Sequence, residues 1–295
     1  MPYKAIRVLV DHEAQSQDTA TKVIKLPLSN VLHTLFVKAE ATTGISGYSG
    51  AKVADTIDKI EVIGNGSEVL VSLTPDVLRD LIKAKYDYAI QETTSNAGGA
   101  ALEVILPIPF GHDFWDPHFW LPCNKFTDLE LRITYDLKKT GQDWASGSMK
   151  FTVLGYMTME GMPGAYQGTL RHTIVYDWST ASSGDETITM PRRLLWHGLL
   201  LQAIKSGATL KDVVSRVKLS INNDQIVPLN IRPDDYLDAV KKIQVLENSM
   251  FIDLRTWVDG GPFNPVRYDI VQLVVTQAAS AAAAKVMLEE AYTIA

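Results

Sequence analysis

Cysteine is nearly missing from this 295-residue chain: Cys123 stands alone, which excludes an internal disulfide and suits assembly in a reducing cytoplasm. Long apolar runs are missing as well. None approaches the roughly 20 residues that a membrane-spanning helix needs, so no such helix is expected. The opening MPYKAIRVLVDHEAQ has no basic region followed by an apolar core, and no signal peptide is expected there. Clustered positive charge is absent too. The formal net charge is −6, from 28 basic and 34 acidic residues, and the densest basic spots are the pairs Lys138-Lys139, Arg192-Arg193 and Lys241-Lys242. A protein held on a duplex makes about 6–10 phosphate contacts from grouped Lys and Arg, so direct sequence-specific nucleic-acid binding is not expected. Catalytic signatures are equally scarce. GNGSEV lacks the third glycine of a dinucleotide loop, and neither a Walker sequence nor a GxSxG elbow occurs.

What is present is a long internal repeat. VIKLPLSNVLHTLFVKA in the first half is answered by TITMPRRLLWHGLLLQA in the second, aligning Pro27 with Pro191, His33 with His197 and Ala39 with Ala203 (191 − 27 = 164). DTIDKIEVIGNGSEV then matches DVVSRVKLSINNDQI, with Asp55 on Asp212, Ile60 on Val217 and Asn65 on Asn222 (222 − 65 = 157). Solenoid and propeller repeats run to roughly 20–50 residues, so a period of this length is a duplicated domain. The expected division is 1–160, a Gly- and Pro-rich linker at 161–170, and 171–295.

Each half shows eight apolar or alternating runs of strand length, in the same order. Ile60 and Val62 against Lys59 and Glu61, or Leu129, Leu131 and Ile133 against Glu130, Arg132 and Thr134, alternate as strands with one face in a core do. Gly64-Asn65-Gly66-Ser67 and Asn222-Asn223-Asp224 are hairpin turns, because Asn and Gly tolerate the positive φ that tight hairpins require. One helix per half is expected between the fifth and sixth strands. Thr74, Pro75 and Asp76 open the first, with Val77, Leu78, Leu81 and Ile82 as its apolar stripe. Pro233, Asp234 and Asp235 open the second, with Tyr236, Leu237, Val240 and Ile243 inward. The fold expected is all-β: two tandem eight-stranded antiparallel jelly rolls. The first half's surplus is expected in GHDFWDPHFWLPCNK and around GQDWASG, loops suited to a surface partner, where Trp115, Trp120, Trp144 and Tyr166 divide between core and contact.

Sharper chemistry is weighed against blander packing. His112, Asp113, Asp116 and His118 in HDFWDPH could gather two imidazoles and a carboxylate, but in a loop broken by Pro117 they read as polar surface. His33 and His197 lack the second strand histidine that a cupin metal site needs, and read as packed strand residues. No catalytic, cofactor-binding or metal-binding residue is therefore assigned, no cofactor is expected, and the chain reads as a non-enzyme.

Two consecutive eight-stranded units, together with DKIEVIGNGSEVLVSLTPDVLRDLIKAKYDY and PFGHDFWDPHFWLPCNKFTDLELRITYDL, resemble the double jelly-roll major capsid proteins of tailless icosahedral DNA viruses. This is the hexon-like lineage, in its compact phage form. The resemblance implies a pseudo-hexagonal homotrimer in the virion capsid, made in the host cytoplasm. It also implies contacts with neighbouring trimers and with a penton or minor capsid protein. Membrane contact is left undecided. The alternative is a tandem jelly-roll protein that binds or processes carbohydrate.

Overall fold

Nearly all of the alternating runs become strands. The computed structural model describes residues 3–46, 50–159, 164–180, 182–233, 243–255, 261–278 and 282–294. The chain divides into two compact units, Met1–Arg171 with Thr293–Ala295, and His172–Tyr292.

In the first unit the strands are β1 (Tyr3–Ala14), β2 (Thr19–Lys25), β3 (Val31–Thr42), β4 (Ile57–Gly64), β5 (Glu68–Leu73), β6 (Ala101–Pro109), β7 (Leu129–Asp136) and β8 (Lys150–Met159). One sheet runs β1-β8-β3-β6 and the facing one β2-β7-β4-β5, all antiparallel. This is a jelly roll. Its core forms because residues two apart share a face. Leu35, Val37 and Ala39 on β3, Val104 and Leu106 on β6, and Phe151 and Val153 on β8 are sealed against Ile60, Val62, Leu131 and Ile133.

Helix α1 (Pro75–Tyr86) follows β5, as expected, and buries Val77, Leu78, Leu81 and Ile82. Thr74 takes the N-cap position in extended backbone (φ −91°, ψ 155°), but its side chain makes no capping bond. The helix start therefore depends on Pro75, with Asp76 in the first turn near the positive end of the dipole.

The second unit repeats the plan with β9 (Thr169–Ser179), β10 (Gly184–Thr189), β11 (Leu195–Ile204), β12 (Val214–Ile221), β13 (Ile226–Ile231), β14 (Ser249–Asp253), β15 (Val271–Gln277) and β16 (Ala283–Tyr292). Its sheets run β9-β16-β11-β14 and β10-β15-β12-β13. Strands β4 and β12 carry the same burial sequence residue for residue. The turn asparagines are equivalent too. Asn65 (φ 49°) accepts at Oδ1 from the N–H and hydroxyl of Thr127, and Asn222 (φ 50°) accepts at Oδ1 from the N–H groups of Asp269 and Ile270. Each ties its hairpin to the segment entering the seventh strand. The second helix expected at Pro233 falls on residues 234–242, outside the described residues. Ile243, expected on that helix, instead begins a short strand, Ile243–Val245, beside β14.

One expectation needs correcting. Val37 pairs with Leu106, and its repeat counterpart Leu201 pairs with Met250. Pro75 to Leu106 spans 31 residues but Pro233 to Met250 only 17 (106 − 75; 250 − 233). A surplus of 14 thus precedes β6, whereas Leu106 to Leu129 exceeds Met250 to Val271 by two (23 against 21). That part of the extra chain lies beside the helix: Thr94–Ser95 pairs with Ala51–Lys52, and Glu92 accepts two bonds from Arg79 Nη2 (2.9 and 3.1 Å). The surplus expected around GQDWASG is there: Ala39 pairs with Phe151 and Ala203 with Ala284, so Leu129 to Phe151 (22) exceeds Val271 to Ala284 (13) by nine. Among the described residues, no helix is long and apolar enough to cross a membrane.

Leu81 is fully buried on α1. Leu81→Asp loses a core side chain, a loss that alone costs about 2–5 kcal/mol, and adds a charge without solvent. Chemical denaturation should show at least that loss and gel filtration no assembled species. A variant of native stability would mean that the helix does not pack on its sheet.

Candidate functional site

The most elaborate surface of the first unit is built by the loop from Gly111 to Lys125 together with the outer face of the β1-β8-β3-β6 sheet. The loop organises itself around one carboxylate. Asp116 is buried; its Oδ2 accepts from the His112 N–H (2.7 Å), and its Oδ1 from those of His118 (2.7 Å) and Phe119 (3.1 Å). Asp113 Oδ1 accepts from the Trp115 N–H (2.7 Å). The turn closes tightly at Gly111, where a Cβ would lie 2.4 Å from that of Asp116. Two bonds moor the loop: the Tyr86 hydroxyl donates to Gly111 O (2.7 Å), and the Thr34 hydroxyl to Phe114 O (2.9 Å). Leu121–Pro122 then pairs with the start of β3.

The loop's aromatic residues divide. Phe119 and Trp120 turn inward, and Trp144 from the later loop is also core, so neither tryptophan is available to a partner. Tyr166 packs on Trp120 (5.2 Å between ring centroids). Phe114 and Trp115 stay half-buried on the outer face. Trp115 lies 4.1 Å from His33 and 4.1 Å from Tyr156, with Lys4 Nζ 4.2 Å over its ring. Phe114 meets Tyr86 (5.0 Å), Tyr88 (5.6 Å) and Phe36 (6.0 Å). These rings make one connected aromatic surface. On the same face, further along the strands, it gives way to charge: Lys38 bridges Glu40 (3.1 Å) and Glu103 (2.7 Å), and His12 reaches Glu40 (3.2 Å).

The residues weighed for metal chemistry also make structural contacts. The Asp116 oxygens serve the loop backbone, and the His118 ring is exposed with Nδ1 3.4 Å from Ala165 O. His33 and His197 are packed strand histidines with matching backbone roles. His33 O accepts from Phe110 N (2.9 Å), and His197 O from Leu254 N (3.0 Å). His33 Nε2 lies 2.9 Å from the Thr158 hydroxyl, and burial lowers its pKa to about 4. A buried pair in the second unit, His172 Nε2 to Glu289 Oε2 at 3.0 Å, had no sequence signal, since neither residue belongs to a spaced motif.

This arrangement offers apolar and aromatic contact area with a charged margin, the composition of a protein–protein interface. The fold is that of double jelly-roll viral capsid proteins. The chain is similar to the major capsid protein of Sulfolobus turreted icosahedral virus, with TM-score 0.72 and 16% identity over 99% of this chain and 97% of that one. It is similar to PBCV-1 VP54 at TM-score 0.70 and 11% identity, over 98% and 94% of the two chains. It is also similar to the major capsid protein P2 of bacteriophage PM2 at TM-score 0.64 and 12% identity, over 99% and 98%. No protein-family model and no curated protein matches the sequence.

Two outcomes follow from the buried groups. Between pH 4 and 6.5 unfolded His33 binds a proton that the folded protein refuses, so stability is full above about 6.5 and falls toward pH 4. The total is roughly 3 kcal/mol at 1.36 kcal/mol per unit. Denaturant midpoints should decline across that window and decline less in His33→Gln; equal slopes would remove His33 as the cause. Cys123 is fully buried and its thiol is pushed up to about 12 by burial, so thiol reagents should label it only after unfolding. Rapid labelling of the native protein would contradict that environment.

Proposed function

We propose that the chain is a major capsid protein whose homotrimers, each presenting six jelly rolls as a pseudo-hexagonal tile, cover an icosahedral shell. The observation that carries this is the pair of complete, equivalent jelly rolls in one chain, a likeness to viral capsid proteins that extends over nearly the whole of both chains. The aromatic outer face supports it, since obligate interfaces are apolar at the centre and bury roughly 2,000–5,000 Å². On this reading the protein is a structural component of the virion without enzymatic activity. Its partners are two further copies of itself, adjoining tiles, and a penton or minor capsid protein.

Light scattering on the purified protein tests the reading, with negative-stain images of the same peak. The expected species has a mass of about 98 kDa (3 × 32.6) and a hexagonal outline. A monomer at every concentration would reject the tile and turn attention to glycan binding.

A further inference from the structure

Comparing the two units position by position exposes an asymmetry that the repeat does not require. Strand β1 is the outer strand of its sheet and is open along almost its whole length: Tyr3, Ile6 and Val8 are 52%, 64% and 55% exposed. In the second unit the first strand, β9, is closed where β1 is open, with His172 and Thr173 buried. The fifth strands show the reverse. In the first unit β5 buries Leu70, Val71 and Leu73. In the second, β13 is the last strand of its sheet and leaves Ile226 and Val227 46% and 39% exposed. Sheet faces follow the strands. Phe36 and Leu154, paired across β3 and β8, are half-buried, whereas their counterparts Leu200 and Met287, paired across β11 and β16, are fully buried.

Exposed sheet edges are ordinarily blunted with charge, short strands or proline, because an open apolar edge invites association. Strand β1 is 12 residues long and, although Lys4, Arg7, Asp11 and Glu13 are exposed along it, still leaves Ile6 and Val8 open to solvent. Among the described end strands, two therefore leave neighbouring apolar side chains open: the first strand of the first unit, at Ile6 and Val8, and the fifth strand of the second, at Ile226 and Val227. Two unlike patches of one chain that meet between copies make a heterologous, head-to-tail contact, which closes into a ring when the rotation allows.

We infer that β1 of one copy, with the aromatic outer face beside it, lies against β13 of a second copy, and that three such contacts close the trimer. The inference rests on the tile reading and adds to it the two surfaces and their pairing. Pro228 supplies no N–H within β13, so side chains rather than an unbroken hydrogen-bonded ladder carry the contact. The aromatic group from Tyr88 to Tyr156 forms the dry centre, and the Lys38–Glu40–Glu103 network forms the charged rim.

The test uses two double variants of the full chain at exposed positions, Ile6→Glu with Val8→Glu and Ile226→Glu with Val227→Glu, in which folding is checked by circular dichroism. Each alone should drop from about 98 to 32.6 kDa in light scattering. Mixed, they retain one intact pair of edges between them and should give a two-chain species of about 65 kDa (2 × 32.6). Val23→Glu, on an exposed position of the facing sheet, should remain trimeric. Serine replaces glutamate should either double variant fail to fold. A folded double variant still at 98 kDa, a mixture holding only monomers, or dissociation by Val23→Glu overturns the pairing. A wild-type monomer instead overturns the tile reading beneath it.

Discussion

Pairing of backbone N–H and C=O groups along strand edges is the constraint on which the rest of this structure depends. A strand satisfies its polar backbone only by having a neighbour, and a buried group without a partner is costly. Folding eight strands into two facing sheets meets that demand inside each unit, and leaves the outermost strands as the open question. The jelly roll, the asparagine-braced hairpins and the two exposed edges are successive consequences of it.

The asparagine turns show how closely the duplicated halves keep the same solution. Both begin at φ near +50°, and both use the side-chain oxygen to accept from backbone N–H groups of the incoming seventh strand. The first turn uses Asn-Gly and the second Asn-Asn-Asp, so residue type varied while the left-handed backbone and its anchoring bond were kept. The identical burial of β4 and β12 follows, because the turn sets the register and the register sets which face is buried.

Elsewhere the halves diverge, and they do so at surfaces rather than in cores. The first unit adds chain beside its helix, and its loop organised by Asp116 holds Phe114 and Trp115 on the outer face while Trp120 closes the interior. Packing inside each unit is a closed problem that both copies answer alike. The outer faces answer to different neighbours, and this freedom is where a structural protein acquires a specific assembly.

Much of this was legible in the chain itself. All sixteen strands, the first helix and both hairpin turns follow from period-two alternation, from Pro75 with its apolar stripe, and from Asn-Gly chemistry, because those signals are local. The placement of the extra chain before β6 was not legible, since the pairings of Val37 with Leu106 and Leu201 with Met250 join residues far apart in sequence. Nor was the inward turn of Trp120 and Trp144, because a loop has no periodicity to show which way a side chain faces. The openness of Ile6 and Val8 is the clearest case. Alternation says that a strand has two faces, and only the tertiary structure decides which of them, and which edge, is left without a neighbour.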